Sequence, residues 1–368
     1  MAEGRRLKKI RVGVLAGGAS AERQISLASG LQIAEQLPKD RYEVVMLDPL
    51  ALMAHNPALS DEQRAMAARL ASGASAAEAL PDRDRELPAQ MQDSMHRGSS
   101  ALASASSALT GEGIDVAFIA LHGPWGEDGK IQAVLETFGI PYTGSGVLAS
   151  ALAMDKAMAK TVLAANGIDV PRGVLVSSPT DRPSIAPPSI VKPVENGSSV
   201  GVSMVDDAKD YPAAIAEALR YDRRALVEER LFGTELTVGV IGPDHDLEAL
   251  PVIEIVPKRA FFDYRAKYDS GLSDEICPAR VPDAIAKRAQ DIALRAHRAL
   301  GCRAISRTDL IWSPAQGDRM VALEVNTMPG MTANSLVPKA ARVAGISFPE
   351  LVERLVGWAL ADREDGRR

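Results

Sequence analysis

"IRVGVLAGGASAERQISLASG", residues 10–30, decides the fold. Its first seven residues form an apolar run that stops at Gly17-Gly18, and a helical pattern then runs from about Arg23 to Leu37. The reading is strand, glycine turn, helix. "YEVVMLD" (42–48) adds a second strand, and "DVAFIALHG" (115–123) a third whose unbroken apolar character suits a parallel strand buried on both faces. The N-terminal part is therefore α/β. The start, "MAEGRRLKKI" before an apolar stretch and an Ala-x-Ala site, imitates a secretion signal, but the apolar part is short and is broken by Arg11 and glycines, so a buried strand is expected.

At 368 residues the chain exceeds the roughly 250–300 residues at which one core stops growing, so two or three domains are expected. No apolar run reaches the roughly 18 residues of a membrane helix, and the net charge of −6 gives no global pull toward nucleic acid. A soluble, cytoplasmic protein with small-molecule partners is expected. The two cysteines, Cys277 and Cys302, and five scattered histidines make neither a disulfide framework nor a zinc site.

Residues 54–110 are rich in Ala and Ser and read as an insertion of low functional weight, with a capping-box form at Ser60–Gln63. A helical pattern from Met154 ends at Asn166-Gly167, and "SIVKPV" (189–194) is a strand leading into "ENGSSVGVSMV". "ALVEERL", "TELTVGVI" and "EALPVIEIV" follow in close succession and predict an antiparallel sheet. A long amphipathic helix (about 283–300), strands near 303–311 and 320–325, and a last helix from about Phe348 to Ala361 complete the chain.

Three features could carry chemistry. The small residues of "KPVENGSSVGVS" can turn backbone N–H groups toward a phosphate while Lys192 supplies charge, although such loops also serve as ordinary hairpins. "GPWGEDGK" (123–130) resembles a Walker A loop but has five residues between Gly123 and Gly129 and Ile131 in place of the hydroxyl; the dinucleotide glycine pattern is also absent at Gly17-Gly18. The acidic set is stronger. Asp309 lies in "RTDLIW", and period two sends Glu324 and Asn326 of "VALEVN" to one face, an oxygen donor set that suits Mg²⁺ shared with nucleotide phosphates. Arg307 falls on the same side as Asp309, where it could steady a transferred phosphoryl group or an oxyanion.

In order, "GGASAERQISLASG", "ALHGPWGEDGKIQAVLETFGIPYTGSGVLASALAMDK", "VKPVENGSSVGVS", "FFDYRAKY", "RTDLI" and "LEVNTMPGMTANSLVPKAA" resemble the blocks of D-alanine:D-alanine ligases in the ATP-grasp superfamily. The likeness covers nearly everything outside residues 54–110. It implies an ATP-grasp fold, α+β in that part, behind an N-terminal parallel-sheet α/β domain. The implied domains are 1–143, 144–227 and 228–368. The implied reaction joins two D-alanines for peptidoglycan, through an acyl phosphate made with ATP and two Mg²⁺ ions, Mn²⁺ being an alternative. No nucleic acid or membrane partner is expected, and the resemblance implies a homodimer.

Residue by residue, the resemblance gives Glu22 the first D-alanine's ammonium, a role that suits a carboxylate opening a helix. It gives Lys156, Lys192 and Ser199 the nucleotide phosphates, Glu228, Leu231 and Glu235 the adenosine, and Asp309, Glu324 and Asn326 the metals. His122 falls near the substrate pocket, and Ser335 and Leu336 take the second substrate's carboxylate. Arg307 and the Gly330 N–H would stabilise charge. "FFDYRAKYDSGLSDEICPA" (261–279), which holds four of the twelve Phe and Tyr residues, resembles the ω-loop. There Lys267 would reach the γ-phosphate, and Tyr268 would complete a network through Ser198 to Glu22, giving a lid that excludes water.

The sequence departs from the pattern at Ser306, Thr308 and Met328, and at Glu229, where an adenine-contacting lysine is common. The last change puts nucleotide affinity in question because an anion replaces a cation. Two other readings are an ATP-grasp ligase with a D-serine or D-lactate acceptor, and a non-catalytic nucleotide sensor.

Ester-forming relatives carry Phe where Tyr268 stands. Tyr268→Phe is therefore predicted to raise the use of D-lactate relative to D-alanine at neutral pH. Products resolved by mass in an unchanged ratio would remove this argument.

Overall fold

The structure, a computed structural model, describes residues 8–18, 20, 22–50, 60, 61, 64, 65, 68, 113–195, 200–257 and 273–364. Nearly all of the Ala/Ser-rich insertion, and Ser198, Ser199, Lys267 and Tyr268, lie outside them. In chain order the described helices are α1 (Arg23–Gln36), α2 (Lys130–Thr137), α3 (Val147–Met154), α4 (Lys156–Ala165), α5 (Tyr211–Ala218), α6 (Asp283–Leu300), α7 (Leu336–Val343) and α8 (Phe348–Glu364). Two compact units arise. The first comprises Met1–Gly144, Gly330–Pro338 and Ser347–Arg368, and the second Ser145–Pro329 and Lys339–Ile346.

The first unit is built on three parallel strands, β1 (Ile10–Leu15), β2 (Tyr42–Leu47) and β3 (Val116–Ile119), in the order β2-β1-β3. Val116, Ala117, Phe118 and Ile119 are all buried, as expected of an apolar strand covered on both faces. Helices α1 and α8 pack against one another, α1 on β1 and α8 on β3. The glycine turn after β1 is fastened by Ser26, whose Oγ accepts from the Gly17 N–H at 2.8 Å and donates to the Ala120 carbonyl at 2.7 Å. One hydroxyl thus ties the turn, α1 and the end of β3 together.

The second unit holds two antiparallel sheets. β4 (Gly173–Val176), β5 (Ser189–Pro193), β6 (Ser203–Val205) and β7 (Ala225–Glu229) form a small sheet in the order β4-β7-β5-β6, with α5 packed on β5 and β6. The larger sheet runs β11-β10-β8-β12-β13, with β9 paired to β8. Its members are β8 (Thr234–Gly242), β9 (Glu248–Ala249), β10 (Ile253–Pro257), β11 (Ser273–Ile276), β12 (Ala304–Ser313) and β13 (Arg319–Asn326). The three strand-like runs from Ala225 to Val256, read as one sheet in the sequence, are divided: β7 joins the small sheet, β8 and the later runs the large one. The chain crosses over at Gly233, where an added Cβ would come 2.1 Å from the Trp312 carbonyl oxygen. Proximity in sequence cannot reveal such a crossing.

Helices α3, α4 and α6 cover the large sheet. Leu163 of α4 and Leu236, Val238 and Leu310 of the sheet are fully buried in their common core, and each such side chain contributes about 1.5–3 kcal/mol by leaving water. The helical run expected from Met154 is broken by Asp155, which caps α4 by accepting from the Ala157 and Met158 N–H groups at 3.0 and 2.9 Å. Among the described residues no helix is long and apolar enough to cross a membrane.

His297, in the last turn of α6, is buried with its Nδ1 2.7 Å from Ser306 Oγ. The Ser306 departure thus supplies a polar partner for a buried imidazole, while the hydroxyl of buried Thr308 has no hydrogen-bond partner among the described residues. Burial, ahead of every other influence, lowers the His297 pKa to about 4. The folded protein therefore binds a proton less readily than the unfolded chain, whose histidine titrates near 6.5. Stability from this site is intact above about pH 6.5 and is lost as pH falls toward 4, by at most about 1.4 kcal/mol per unit. Melting temperatures between pH 7 and 5 are predicted to fall more steeply in the natural protein than in His297→Gln, which keeps a polar group beside Ser306 but cannot titrate. Equal slopes would contradict this.

Candidate active site

In the first unit, β3 ends in a loop that crowds polar groups against the start of α1. Glu22 and His122 are both buried. Gly123 lies at φ +69°, and a Cβ there would sit 3.2 Å from the Ser20 Cβ and 3.5 Å from Glu22 Oε2, so a side chain would both strain the backbone and crowd the carboxylate. Glu22 precedes α1 without capping it by its side chain.

A second acid, Glu127, was not singled out in the sequence. Its Oε2 accepts from the Gly123 N–H at 2.8 Å, and its Oε1 lies 4.0 Å from His122 Nδ1. Burial pushes the Glu127 carboxyl above the usual range, and the charge of Glu22 adds to the push against the opposing pull of His122. A buried carboxylate and a half-buried one close enough to interact form a place where a cation is welcome. The signal available was the first acid of "GEDG", but that loop has no period to say where its side chain goes.

Gly330, Ser335 and Leu336 also belong to the first unit. The Ser335 hydroxyl lies 2.8 Å from Thr332 Oγ1 and accepts from the Thr332 N–H at 3.1 Å. The Gln32 side chain of α1 accepts from the Ala333 N–H at 2.7 Å, so this loop is anchored to the helix that Glu22 opens. Gln32 was another residue the sequence did not disclose.

In the second unit, a buried cluster joins the two sheets. Glu228 of β7 is 2 % exposed, and its two oxygens lie 2.8 Å from Lys160 Nζ and 2.6 Å from Lys192 Nζ. Strand pairing of β5 with β7 brings Lys192 beside the Glu228 strand. Burial pulls the Lys160 ammonium down to about 8, with Lys192 adding repulsion and Glu228 opposing both. For Lys192 the same burial is outweighed by Glu228, and its pKa rises. Burial would raise the Glu228 carboxyl, but the two lysines overcome it and hold the group ionised. The charge of Glu324 reaches both lysines. The structure therefore brings the Glu228 side chain to Lys192, expected at the phosphates, and to Lys160, a geometry that an adenosine-contact role alone did not suggest.

Arg307, Asp309, Glu324 and Asn326 meet on β12 and β13. In the antiparallel register Asp309 is opposite Glu324 and Arg307 is opposite Asn326. Arg307 grips Asp309 with two bonds of 2.9 Å, and Thr237 Oγ1 donates to Asp309 Oδ1 at 2.6 Å. Like charges directly opposed are unfavourable in a sheet. Two carboxylates and an amide so placed fit a hard divalent cation, and they are too few to enclose one, which is the usual case for Mg²⁺ shared with phosphates. Among the described residues no three His, Cys, Asp or Glu side chains form a metal cage.

Lys156 opens α4, with its backbone N–H donating to the Val194 carbonyl at 3.2 Å. Leu231 follows β7 and is half-buried, and Glu235 lies on β8 opposite Ile311. The inverted residue Glu229 is answered by two guanidinium groups, Arg172 at 2.8 Å and Arg319 at 3.1 Å, and Arg319 also pairs with Asp169 at 2.7 Å. Although burial acts to raise it, these arginines hold the Glu229 carboxyl below its ordinary range. No uncompensated anion is left there.

Models of the D-ala D-ala ligase N-terminus and C-terminus match residues 11–145 and 182–357. The D-alanine–D-alanine ligase of Syntrophobacter fumaroxidans is 44% identical, over 96% of this chain and 99% of that one. The enzyme of the same name from Desulforudis audaxviator is 42% identical, over 95% and 98%. Among solved structures, the D-alanine–D-alanine ligase from Bacillus anthracis complexed with ATP aligns with a TM-score of 0.70 at 26% identity, covering 97% of this chain and 99% of that one. The VanG D-Ala:D-Ser ligase from Enterococcus faecalis aligns with a TM-score of 0.72 at 27% identity, covering 96% and 100%.

Proposed function

The chain belongs to the D-alanine–D-alanine ligase family, with its ATP-grasp fold, and from that premise we propose that it joins two D-alanines to D-alanyl-D-alanine at the expense of ATP. The observation that carries the nucleotide part is the buried Lys160–Glu228–Lys192 cluster beside the Asp309–Glu324 pair. Buried ions are retained only when something compensates them, and a site of this kind suits a polyphosphate.

In the proposed reaction, a carboxylate oxygen of the first D-alanine attacks the γ-phosphorus of ATP and the bond to the β-bridging oxygen breaks, releasing ADP. The amine of the second D-alanine, having lost a proton, attacks the acyl carbon, and phosphate leaves as the amide forms. Glu22, with Glu127 next to it, offers negative charge to the first substrate's ammonium, and Ser335 and Leu336 receive the second substrate's carboxylate. The Gly330 N–H and Arg307 counter the charge that develops on oxygen. Lys192 and Lys156 hold phosphate oxygens together with Ser199 and Lys267, while Leu231 and Glu235 contact adenosine. Ser198, Tyr268 and His122 complete the substrate side, and the segment 261–279 excludes water from the acyl phosphate.

The charge count supports a metal. Lys160, Lys192 and Arg307 are balanced by Glu228, Asp309 and Glu324, and Lys156 and Lys267 add two positive charges against the roughly four negative ones of a triphosphate, which calls for a further cation. Asp309, Glu324 and Asn326 would hold Mg²⁺, which would neutralise phosphate charge and orient the γ-phosphoryl group. A homodimer, a cytoplasmic setting and the division 1–143, 144–227 and 228–368 belong to the same reading.

Phosphate release from Mg-ATP by the purified protein is predicted to depend on D-alanine and to give the dipeptide by mass, with L-alanine inactive. D-serine, or D-lactate mixed with D-alanine, is predicted to give little mixed product. ATP binding without turnover on any of these would favour a sensor, and preferential mixed product would favour a different acceptor.

A further inference from the structure

Lys160 carries none of the roles assigned by resemblance, yet it is one of the most confined charges in the second unit. Its side chain is 8% exposed, and its Nζ is shared between the Glu228 carboxylate at 2.8 Å and the Leu323 carbonyl at 2.8 Å. These partners lie on different sheets: Glu228 is on β7 of the small sheet and Leu323 on β13 of the large one.

The Leu323 carbonyl is no ordinary ladder group. The β12–β13 register passes from Asp309↔Glu324 to Leu310↔Ala322, so Leu323 is skipped, and two residues of β13 bulge opposite one of β12. Bulges of this kind re-aim neighbouring side chains and recur next to active sites. Here the bulge immediately precedes Glu324, and Lys160 meets its carbonyl. Helix geometry places Lys160 one turn beyond Lys156, on the same face of α4, and the Asp155 cap fixes where that face begins.

We propose that Lys160 is a positioning residue of the nucleotide site: by holding Glu228 and the Leu323 bulge at once, it sets the spacing between the Lys192–Glu228 strands and the strand that carries Glu324 and Asn326. The inference rests on the nucleotide reading given above. Glu228 could be neutralised by Lys192 alone, and a second buried ammonium costs desolvation that an apolar side chain of the same length would avoid. Its two-sheet contact is what that side chain could not make.

The test is steady-state kinetics of the full chain, with ATP and D-alanine varied separately, for the natural protein, Lys160→Met, Glu228→Gln and the double variant. Lys160→Met is expected to raise the KM for ATP by about tenfold or more and to leave the KM for D-alanine within about twofold. The double variant is expected to lose no more than about the larger single loss, because both residues act through one contact. A folded Lys160→Met protein with an unchanged KM for ATP would overturn the proposal. So would a loss confined to melting temperature and to the amount of active protein. Should Lys160→Met fail to fold, Lys160→Gln, which retains a donor for the Leu323 carbonyl, is read by the same criterion. A natural protein that neither binds ATP nor turns over would instead sink the ligase reading, whereas natural turnover matched by the variants sinks only the positioning role.

Discussion

A carboxylate held between two ammonium groups, away from water, is the interaction on which the proposed nucleotide site of the second unit depends. Glu228 stays ionised because Lys160 and Lys192 each contact one of its oxygens. Removing either cation would leave a buried charge short of a partner, which is far costlier than losing a surface pair. The cluster also spans the two sheets, so electrostatics and geometry are not separable here. A change in charge at Lys160 is also a change in the link between β7 and the β13 bulge.

The first unit uses like charges in a complementary way. Burial, with the charge of Glu22 adding to it, raises the Glu127 carboxyl, and an ammonium placed there would relieve it. The second unit's cluster meets its acids with cations, whereas this pocket gathers two acids, which suits an ammonium-bearing substrate.

Much of this was legible in the sequence. Period two identified Glu324 and Asn326 as residues of one strand face, and the strand register sets Asp309 and Arg307 opposite them. The apolar run at 115–123 and the glycine turn after residue 16 carried the parallel sheet. Other features depend on contacts over long separations. Arg172 and Arg319, 57 and 90 residues from Glu229, reverse the meaning of its inverted charge. No local pattern announces such partners. Lys160 lay nearer to hand, four residues after Lys156 on a helix, but only the register slip at Leu323 gives it a partner on the large sheet. Ser306 read as a departure until His297, nine residues away, was seen to need it.

The central claim is that the side-chain cations of the nucleotide site fall short of a triphosphate's charge, so that it enters with a divalent cation held by Asp309, Glu324 and Asn326. Calorimetric titration of the protein with ATP, once with Mg²⁺ and once with the ion chelated, tests it most directly. Binding weakened by about tenfold or more without the ion is the predicted result. Equal affinity in both titrations would contradict the account.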